Sequence, residues 1–277
     1  MTALDGRRIE LWVEARGRRP AVNPVMRGLL TSLRAAGADT RVRVIERHVA
    51  TPDALAARGG PDLVLMRSFG PLALSVASVA ERHGRRFLNS AARTIEATDK
   101  PGTLATLAAA GLPVPTTWLR AGRAGPHVAE GDELDRNGWY TKPVIGIHGD
   151  GVRHHPGPTP PLMRGESRPE LVQRAVGSGP DVKVYVAGNA VFAGRKWFGP
   201  LSYASDRIRR IEPDDELVRL ALMAAEALAL SSVGLDIREG PEGRVIVDAN
   251  PFPGFRGFPE AVPFLHALVA RHVVSST

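Results

Sequence analysis

The stretch Val233-Gly-Leu-Asp-Ile237, followed by Val245-Ile-Val-Asp-Ala-Asn-Pro-Phe-Pro-Gly-Phe255, decides the fold prediction for this chain. Glycine, proline and glutamate residues typical of a turn separate the two apolar runs, so the runs are predicted to form a β-hairpin. Side chains two apart on a strand project from the same face, which brings Asp248 and Asn250 together. Asp236, on the partner strand, can complete a cluster of oxygen ligands.

Such a cluster suits Mg²⁺, which binds oxygen ligands and shares the rest of its coordination shell with substrate phosphates and water. The same residues also have a simpler interpretation, because Asp-x-Asn before Pro and Gly often only caps the end of a strand. The hairpin by itself leaves both interpretations open.

The composition favours a small anionic partner. The chain has 277 residues, 43% of them hydrophobic, which is enough for one large domain or two smaller ones. Its formal net charge is +7, but the basic residues are scattered and only 5% of residues are aromatic, so nucleic acid is not an expected partner. The chain has no cysteine, which excludes disulfides, thiolate metal sites and a cysteine nucleophile.

The apolar runs of the chain predict where it resides. The first residues lack the apolar core of a signal peptide. No apolar run reaches the roughly 18 residues that a membrane span requires. We therefore expect a soluble, cytoplasmic protein with no membrane partner.

The first ninety residues alternate between strand and helix patterns, which predicts a parallel sheet with flanking helices. Asn23 is a capping residue and Pro24 suits the first helical position, so a helix is predicted to begin there. Strands are predicted at 9–13, 41–45, 62–66 and 87–89, and helices at 23–36, from 51 onward, and at 72–83. No glycine-rich turn follows the first strand, so this lobe is not expected to hold the nucleotide.

The residues from 94 onward lack this regular alternation. A helix is predicted at 94–110 and is ended by Gly111. Residues 170–176 fit either a short helix or a strand, and 154–168 read as a loop rich in Pro and Gly. Strands are predicted at 116–119, 139–144, 181–187 and 190–193, and amphipathic helices at 213–230 and 260–273.

A glycine-rich stretch follows Lys142. Gly146, Gly149 and Gly151 would let backbone N–H groups approach an anion closely, as a phosphate-binding loop requires, although an ordinary flexible hairpin has the same composition. The stretch lacks the Gly-Lys-Ser/Thr ending of a Walker A motif, which disfavours a P-loop NTPase. Three histidines lie in or near it without carboxylate or thiolate partners at ligand spacing, so a zinc site is disfavoured.

Five motifs occur in a fixed order along the chain. They are Asp99-Lys100, Gly111-Leu-Pro-Val-Pro, Lys142-Pro with its glycines, Asp181-x-Lys-x-Tyr-x-x-Gly, and Asp236 followed by Asp248-x-Asn250. This succession resembles the ATP-grasp superfamily, in particular the branch of RimK-type glutamate ligases and glutathione synthetase, over nearly the whole chain. The resemblance implies an α/β (α+β) fold in which an N-terminal Rossmann-like pre-ATP-grasp lobe precedes the ATP-grasp domain.

The resemblance also implies domain limits and residue roles. Residues 1–92 would form the pre-ATP-grasp lobe and 93–277 the ATP-grasp domain, with a lid at about 114–176 and a metal-binding subdomain at about 177–277. Nucleotide contacts would come from Lys100, Lys142, Gly146, Gly149, Gly151, Gln173, Asp181 and Lys183. Mg²⁺, or Mn²⁺ in its place, would be held by Asp236, Asp248 and Asn250. Catalytic contacts would come from Lys142, Arg195 and Lys196.

Three positions depart from the family pattern. The second metal ligand is usually Glu and is here Asp248; the hinge Glu is replaced by Arg174; and the usual Asp-x-Arg is here Asp181-x-Lys183. The last change also resembles inositol phosphate kinases of the same superfamily.

The resemblance therefore implies an ATP-dependent carboxylate–amine ligase that acts through an acylphosphate and releases ADP and phosphate. The alternatives are a kinase acting on a polyol or inositol phosphate, and a nucleotide-binding protein without catalysis. Expected partners are a small anionic substrate, an amine co-substrate and further copies of the chain in a homo-oligomer.

Overall fold

The computed structural model of the chain describes residues 4–16, 19–47, 59–121, 138–144, 151–157, 169–197 and 208–274. The predicted helix from residue 51 lies outside these residues. Within them, no helix is both long enough and apolar enough to cross a membrane.

A parallel sheet forms the first lobe, as the alternating pattern predicts. Its strands lie in the order β4-β1-β5-β6, with β1 at Arg8–Val13, β4 at Asp39–Val44, β5 at Leu63–Arg67 and β6 at Phe87–Leu88. Two short strands pair antiparallel, β2 at Ala15–Arg16 and β3 at Arg19–Pro20. A 3-10 turn, Ile45–Arg47, follows β4. Strand β5 is buried at every position except its last, Arg67, where the chain emerges at the carboxyl edge of the sheet.

Among the described residues of the first ninety, two helices cover this sheet. Helix α1, Pro24–Ala35, begins as predicted, because the Asn23 side chain accepts a hydrogen bond from Met26 N–H and Pro24 opens the first turn. Its apolar face is buried in the core of the first lobe. Helix α2, Pro71–Arg82, packs alanines at 73, 77 and 80 into a second cluster around Trp12 and Phe87.

The single helix predicted at 94–110 is wrong, because two helices occupy these residues. Helix α3 covers Ala91–Thr98 and helix α4 covers Lys100–Ala109, with Asp99 between them in an extended conformation. Pro101 explains the break, since proline has no N–H for the helical bond to residue 97 and its ring would collide with that carbonyl. The break leaves Lys100 at the start of α4.

A four-stranded antiparallel sheet follows, in the order β7-β10-β8-β9. Its strands are β7 at Thr117–Arg120, β8 at Trp139–Pro143, β9 at Arg153–His155 and β10 at Glu170–Arg174. The ambiguous 170–176 segment is thus a strand paired on both sides. The predicted loop at 154–168 is wrong at its start, because His154 and His155 pair with β8, where Thr141 Oγ1 lies 3.0 Å from His155 Nε2.

The third sheet has the order β13-β12-β11-β14-β15 and contains the predicted hairpins. Its strands are β11 at Asp181–Ala187, β12 at Ala190–Lys196, β13 at Arg209–Ile211, β14 at Ser232–Gly240 and β15 at Gly243–Pro251. Helix α5, Asp215–Ala227, is capped by Asp214 and packs its leucines against the buried valines of β11. A 3-10 turn, Pro259–Ala261, leads into helix α6, Val262–Val274.

The core of the first lobe includes residues from the far end of the chain. Leu11 and Leu29 share one buried cluster with Phe252, Phe255 and Leu265. The segment after β15 and helix α6 therefore belong, by packing, to the first lobe. The domain limits at 92 and 93 remain a prediction.

Asn23 ties the two ends of the chain together, and this contact can be tested. Its amide Nδ2 donates to Gly254 O at 2.8 Å while its oxygen caps α1. We expect Asn23→Ala to lower the free energy of unfolding by about 1–3 kcal/mol, because the cap and a buried carbonyl partner are both lost. Urea denaturation should give a smaller loss for Asn23→Ser, which keeps the cap. An unchanged free energy of unfolding in Asn23→Ser, beside a loss in Asn23→Ala, would contradict the tie to Gly254.

Candidate active site

A cavity of about 330 Å³ lies where the three sheets and α4 meet. Most of the predicted site residues line it: Lys100, Lys142, Gln173, Asp181, Lys183, Lys196, Asp236, Asp248 and Asn250. Gly146 and Gly149 lie outside the described residues. Gly151 is in a left-handed turn, where a Cβ would lie 2.8 Å from Pro143 Cγ, so it packs on β8 rather than on the cavity wall.

Arg195 is not brought to this cavity. It lies next to Lys196 on β12, and alternate residues of a strand face opposite sides. Lys196 reaches the cavity, whereas Arg195 forms an ion pair with Glu239 at 2.8 Å. The structure thus places Arg195 outside the cavity lining, and the catalytic contact expected of it remains a prediction.

Two carboxylates face each other across the predicted hairpin. Asp236 and Asp248 are register partners on β14 and β15, next to a bulge, and Asn250 is the partner of Gly234. Each carboxylate has a lysine partner from another element. Lys100 Nζ lies 2.7 Å from Asp248 Oδ1, and Lys183 Nζ lies 2.7 Å from Asp236 Oδ2.

Burial and mutual repulsion set the protonation of these groups. Burial, with repulsion from Asp248, raises the pKa of Asp236 despite the attraction of Lys183. Burial also acts to raise the pKa of Asp248, but Lys100 and Lys142 outweigh it and hold that pKa below its usual value. Burial opposes the charge of Lys183, yet Asp236 and Asp181 raise its pKa. The two carboxylates, Asp236 and Asp248, are thus stabilised by the lysines around them.

Desolvation acts strongly on Lys142. Its Nζ donates to Gln173 Oε1 at 2.6 Å and to Val247 O at 3.2 Å. Burial lowers its pKa to about 8, because the attraction of Asp248 only partly offsets the loss of solvation and Lys100 repels it. Gln173 is itself buried, and its Nε2 donates to Thr117 Oγ1 at 3.2 Å, which fixes the amide that holds Lys142.

Arg238 has a role that the motifs did not predict. Its guanidinium bonds Asp181 Oδ1 at 2.8 Å and donates to the carbonyls of Val176 at 3.0 Å and Gly177 at 2.9 Å. It therefore fastens the segment between the second and third sheets to the strand that carries Asp236. Strand periodicity was an available signal, since residues 236 and 238 project from the same face.

Arg67, at the end of β5, was also missed, because only the fold brings it to the cavity. Eight basic side chains of the described residues line the cavity: Arg67, Lys100, Lys142, Arg174, Lys183, Lys196, Arg238 and Arg256. Three acidic side chains oppose them, Asp181, Asp236 and Asp248. This excess of positive charge suits an anionic ligand.

The donor set can be tested against a magnesium ion. The described residues contain no group of three or more His, Cys, Asp or Glu side chains placed to hold a metal. Asp236 and Asp248 nevertheless supply carboxylate oxygens side by side, and Asn250 adds an amide oxygen. One or two carboxylates, with phosphate and water completing the shell, are what Mg²⁺ requires. The residues therefore fit Mg²⁺ bound together with a phosphate ligand.

Comparison with solved structures identifies the fold. A RimK-domain ATP-grasp protein from Sphaerobacter thermophilus DSM 20745 matches with a TM-score of 0.71 and 20% identity, covering 96% of this chain and 99% of that one. The ATP-grasp ligase PsnB, complexed with minimal precursor, Mg and ADP, matches with a TM-score of 0.64 and 22% identity over 95% and 98%. The D-cycloserine synthetase DcsG matches with a TM-score of 0.68 and 16% identity over 96% and 99%.

The chain thus has the ATP-grasp fold, and the fold predicted from the order of motifs is confirmed. No family profile matches the sequence, and no curated protein sequence matches it. At identities this low, the likeness establishes the fold alone.

The depressed pKa of Lys142 predicts a stability effect. At pH 7 the buried charge costs the folded state up to about 3 kcal/mol, since one pKa unit is worth ~1.4 kcal/mol. We expect Lys142→Met to be more stable than the wild type by about 1–3 kcal/mol at pH 7. Between about pH 8 and 10.5 the native wild type releases a proton that its unfolded chain retains, so wild-type stability rises and the difference narrows. Denaturation measured across this pH range would contradict the prediction if the difference in the free energy of unfolding between the two proteins stayed constant.

The contacts of Arg238 predict a second effect, with a control in the same hairpin. Arg238→Met should lower the free energy of unfolding by about 2–4 kcal/mol, because Asp181 and two carbonyls lose a buried partner. Amide hydrogen exchange at residues 175–179 should rise as well. Arg244→Met removes ion pairs to the exposed Asp214 and Glu216 and should cost under about 1 kcal/mol without changing that exchange. Matching exchange profiles in the two variants would rule out the fastening role.

Proposed function

We propose that the protein is an ATP-dependent carboxylate–amine ligase. The observation that carries this proposal is the cavity in which two lysines, Lys100 and Lys142, lie opposite the carboxylates of a β-hairpin. Cations and carboxylates in this arrangement suit a triphosphate and its metal. The ligase reaction is supported by the likeness to PsnB, DcsG and a RimK-domain protein, which share the fold.

In this proposal Lys100, Lys142 and Lys183 contact the phosphates of ATP, and Gly151 belongs to a phosphate loop with Gly146 and Gly149. Asp236, Asp248 and Asn250 hold Mg²⁺, which would neutralise phosphate charge; the PsnB structure that holds Mg and ADP supports this choice. Because Lys100 and Lys183 already pair with Asp248 and Asp236, these lysines must turn from carboxylate to phosphate when the metal binds. Because both lysines already lie next to the proposed metal ligands, this change of partner requires only a short movement of their side chains.

The base of ATP is proposed to lie against the segment after Gln173. Arg174 replaces the glutamate of the family pattern, so backbone groups of this segment would recognise adenine. Arg238 holds the carbonyls of residues 176 and 177, which leaves the backbone of that segment in one conformation. The proposed lid, about residues 114–176, would move about this segment when the cavity closes over ATP.

The chemistry follows from charge and position. A carboxylate oxygen of the acceptor attacks the γ-phosphorus, the bond to the β–γ bridging oxygen breaks, and ADP leaves, giving an acylphosphate. An amine nitrogen then attacks the acyl carbon, the bond to the phosphate oxygen breaks, and the nitrogen gives up a proton, leaving an amide and free phosphate. Lys142 and Lys196 would stabilise the charge that develops on the transferred phosphoryl group. Closure of the cavity would protect the acylphosphate from water.

The first experiment separates the proposed ligase from the kinase alternative. We propose that the protein acts in the cytoplasm, so purified protein is incubated with Mg-ATP and a cytoplasmic metabolite extract. Products are identified by mass spectrometry, and ADP and free phosphate are assayed alongside. A condensed product with ADP and phosphate supports the ligase. A product with one added phosphoryl group, and ADP without phosphate, establishes the kinase instead. Binding of ATP without turnover across many acceptors points to a non-catalytic protein.

Single substitutions test the proposed phosphate and metal contacts. We expect Asp248→Asn and Lys142→Met each to lower the rate of ATP turnover at least a hundredfold, since each removes a charge aimed at the phosphates. Asp39→Asn, which removes a carboxylate from an exposed pair with Arg41, is the matched control and should retain full turnover. Unchanged turnover in both cavity variants would refute the assignment of the site.

A further inference from the structure

The segment after β15 is held in a strained conformation. Phe252 and Phe255 have φ of +39° and +48°, in the left-handed region that bulky side chains rarely adopt. Each such residue carries a cost in backbone strain. Both rings are fully buried in the core of the first lobe, which offsets the cost. Because the two rings point into the core, the intervening Pro253 and Gly254 and the following Arg256 lie along the cavity.

Arg67 lies across this strained segment. Its Nε donates to Phe252 O at 3.3 Å. Gly254 allows the close approach, since a Cβ at that position would lie 3.0 Å from Arg67 Nη2 and would collide with Asn23 Nδ2. The strained backbone therefore fixes the guanidinium of Arg67 in the cavity wall, on the same side as Arg256.

Strand β11 shows which end of the cavity these arginines occupy. Three side chains project from one face of the strand and line the cavity: Asp181, Lys183 and Tyr185. Each lies about 7 Å from the next along the strand. Asp181 is bonded to Arg238 at the end proposed for the base. Tyr185 is at the opposite end, where burial and Asp236 raise its pKa to about 12 and the nearby Arg256 and Arg67 oppose the rise. The two arginines thus lie beyond the metal ligands.

We propose that Arg67 and Arg256 form a subsite for a second anionic group of the acceptor, a carboxylate or phosphate separate from the carboxylate that is activated. Guanidinium groups bind both anions in a fixed, bidentate geometry. The subsite rests on the proposed function, because it requires the acceptor to enter the cavity from the end opposite the base of ATP. It restricts the acceptor to compounds with two acidic groups.

Matched pairs of simple acids test this restriction. Wild-type protein is incubated with Mg-ATP and hydroxylamine, which traps an acylphosphate as a hydroxamate. The acids are compared in pairs, glutarate with butyrate and succinate with propionate. 4-Phosphonobutyrate is added as a substrate whose second acidic group is a phosphonate. We expect kcat/KM for the member with two acidic groups to exceed that for its partner at least tenfold. The relative rates of glutarate and 4-phosphonobutyrate distinguish a carboxylate from a phosphate subsite. Equal rates within every pair would overturn the proposal.

Variants separate anion binding from support of the loop. Arg67→Met and Arg256→Met should each lower kcat/KM for the diacid ten- to a hundredfold, mainly through KM, so that the diacid loses its advantage over the monoacid. Arg67→Lys should recover part of the loss. Arg210→Met is the matched control, because Arg210 donates to Gly257 O at 2.7 Å from outside the cavity. Loss of diacid selectivity in Arg210→Met equal to that in Arg67→Met would mean that the arginines only support the loop.

A binding measurement keeps the subsite testable without turnover. Calorimetric titration of wild-type protein with glutarate, against butyrate as the control ligand, should show tighter binding of the dianion. The double variant Arg67→Met, Arg256→Met should weaken it at least tenfold. Binding that persists in the double variant, or that is absent from the wild type, would overturn the subsite. Absence of ADP release with every acid, with this binding intact, would refute the ligase but not the subsite.

Discussion

Two partly buried carboxylates lying side by side are the constraint on which the rest of this structure depends. Asp236 and Asp248 are register partners, so their charges cannot separate without breaking the hairpin. A buried, uncompensated charge is costly, which means that cations must come from elements outside the hairpin. Lys183 comes from β11, Lys100 from the start of α4, and Lys142 from the second sheet. The arrangement of three sheets around one cavity is therefore also an arrangement of charges around one pair.

The break between α3 and α4 shows how local backbone chemistry serves this arrangement. A continuous helix through Pro101 would lack a hydrogen bond, and the interruption places Lys100 in the first turn of a new helix, within 2.7 Å of Asp248. Lys142 reaches the cavity in a different way, from a strand whose partner β10 supplies Gln173 as acceptor. One lysine is thus positioned by a helix start and the other by strand register.

Local patterns predicted much of this structure, and long-range contacts account for what they missed. The hairpin with Asp236 and Asp248 and the cap at Asn23 are local features, written in the sequence by apolar runs, turn residues and a capping side chain. The break at Pro101 was readable by the same rules but was overridden by the surrounding helical pattern. Strand β10 was ambiguous because five residues cannot distinguish the periods of helix and strand. Arg67 could not be found, because only the packing of the first lobe against the segment after β15 brings it to the cavity.

The order in which the chain is synthesised has a bearing on the core that the two ends share. Leu11 and Leu29 are made early, yet Phe252, Phe255 and Leu265 complete their packing more than two hundred residues later. The first lobe therefore emerges from the ribosome with an unfilled apolar surface. That surface stays open until α6 arrives. A protein assembled in this way acquires its cavity and its stability in the same final step.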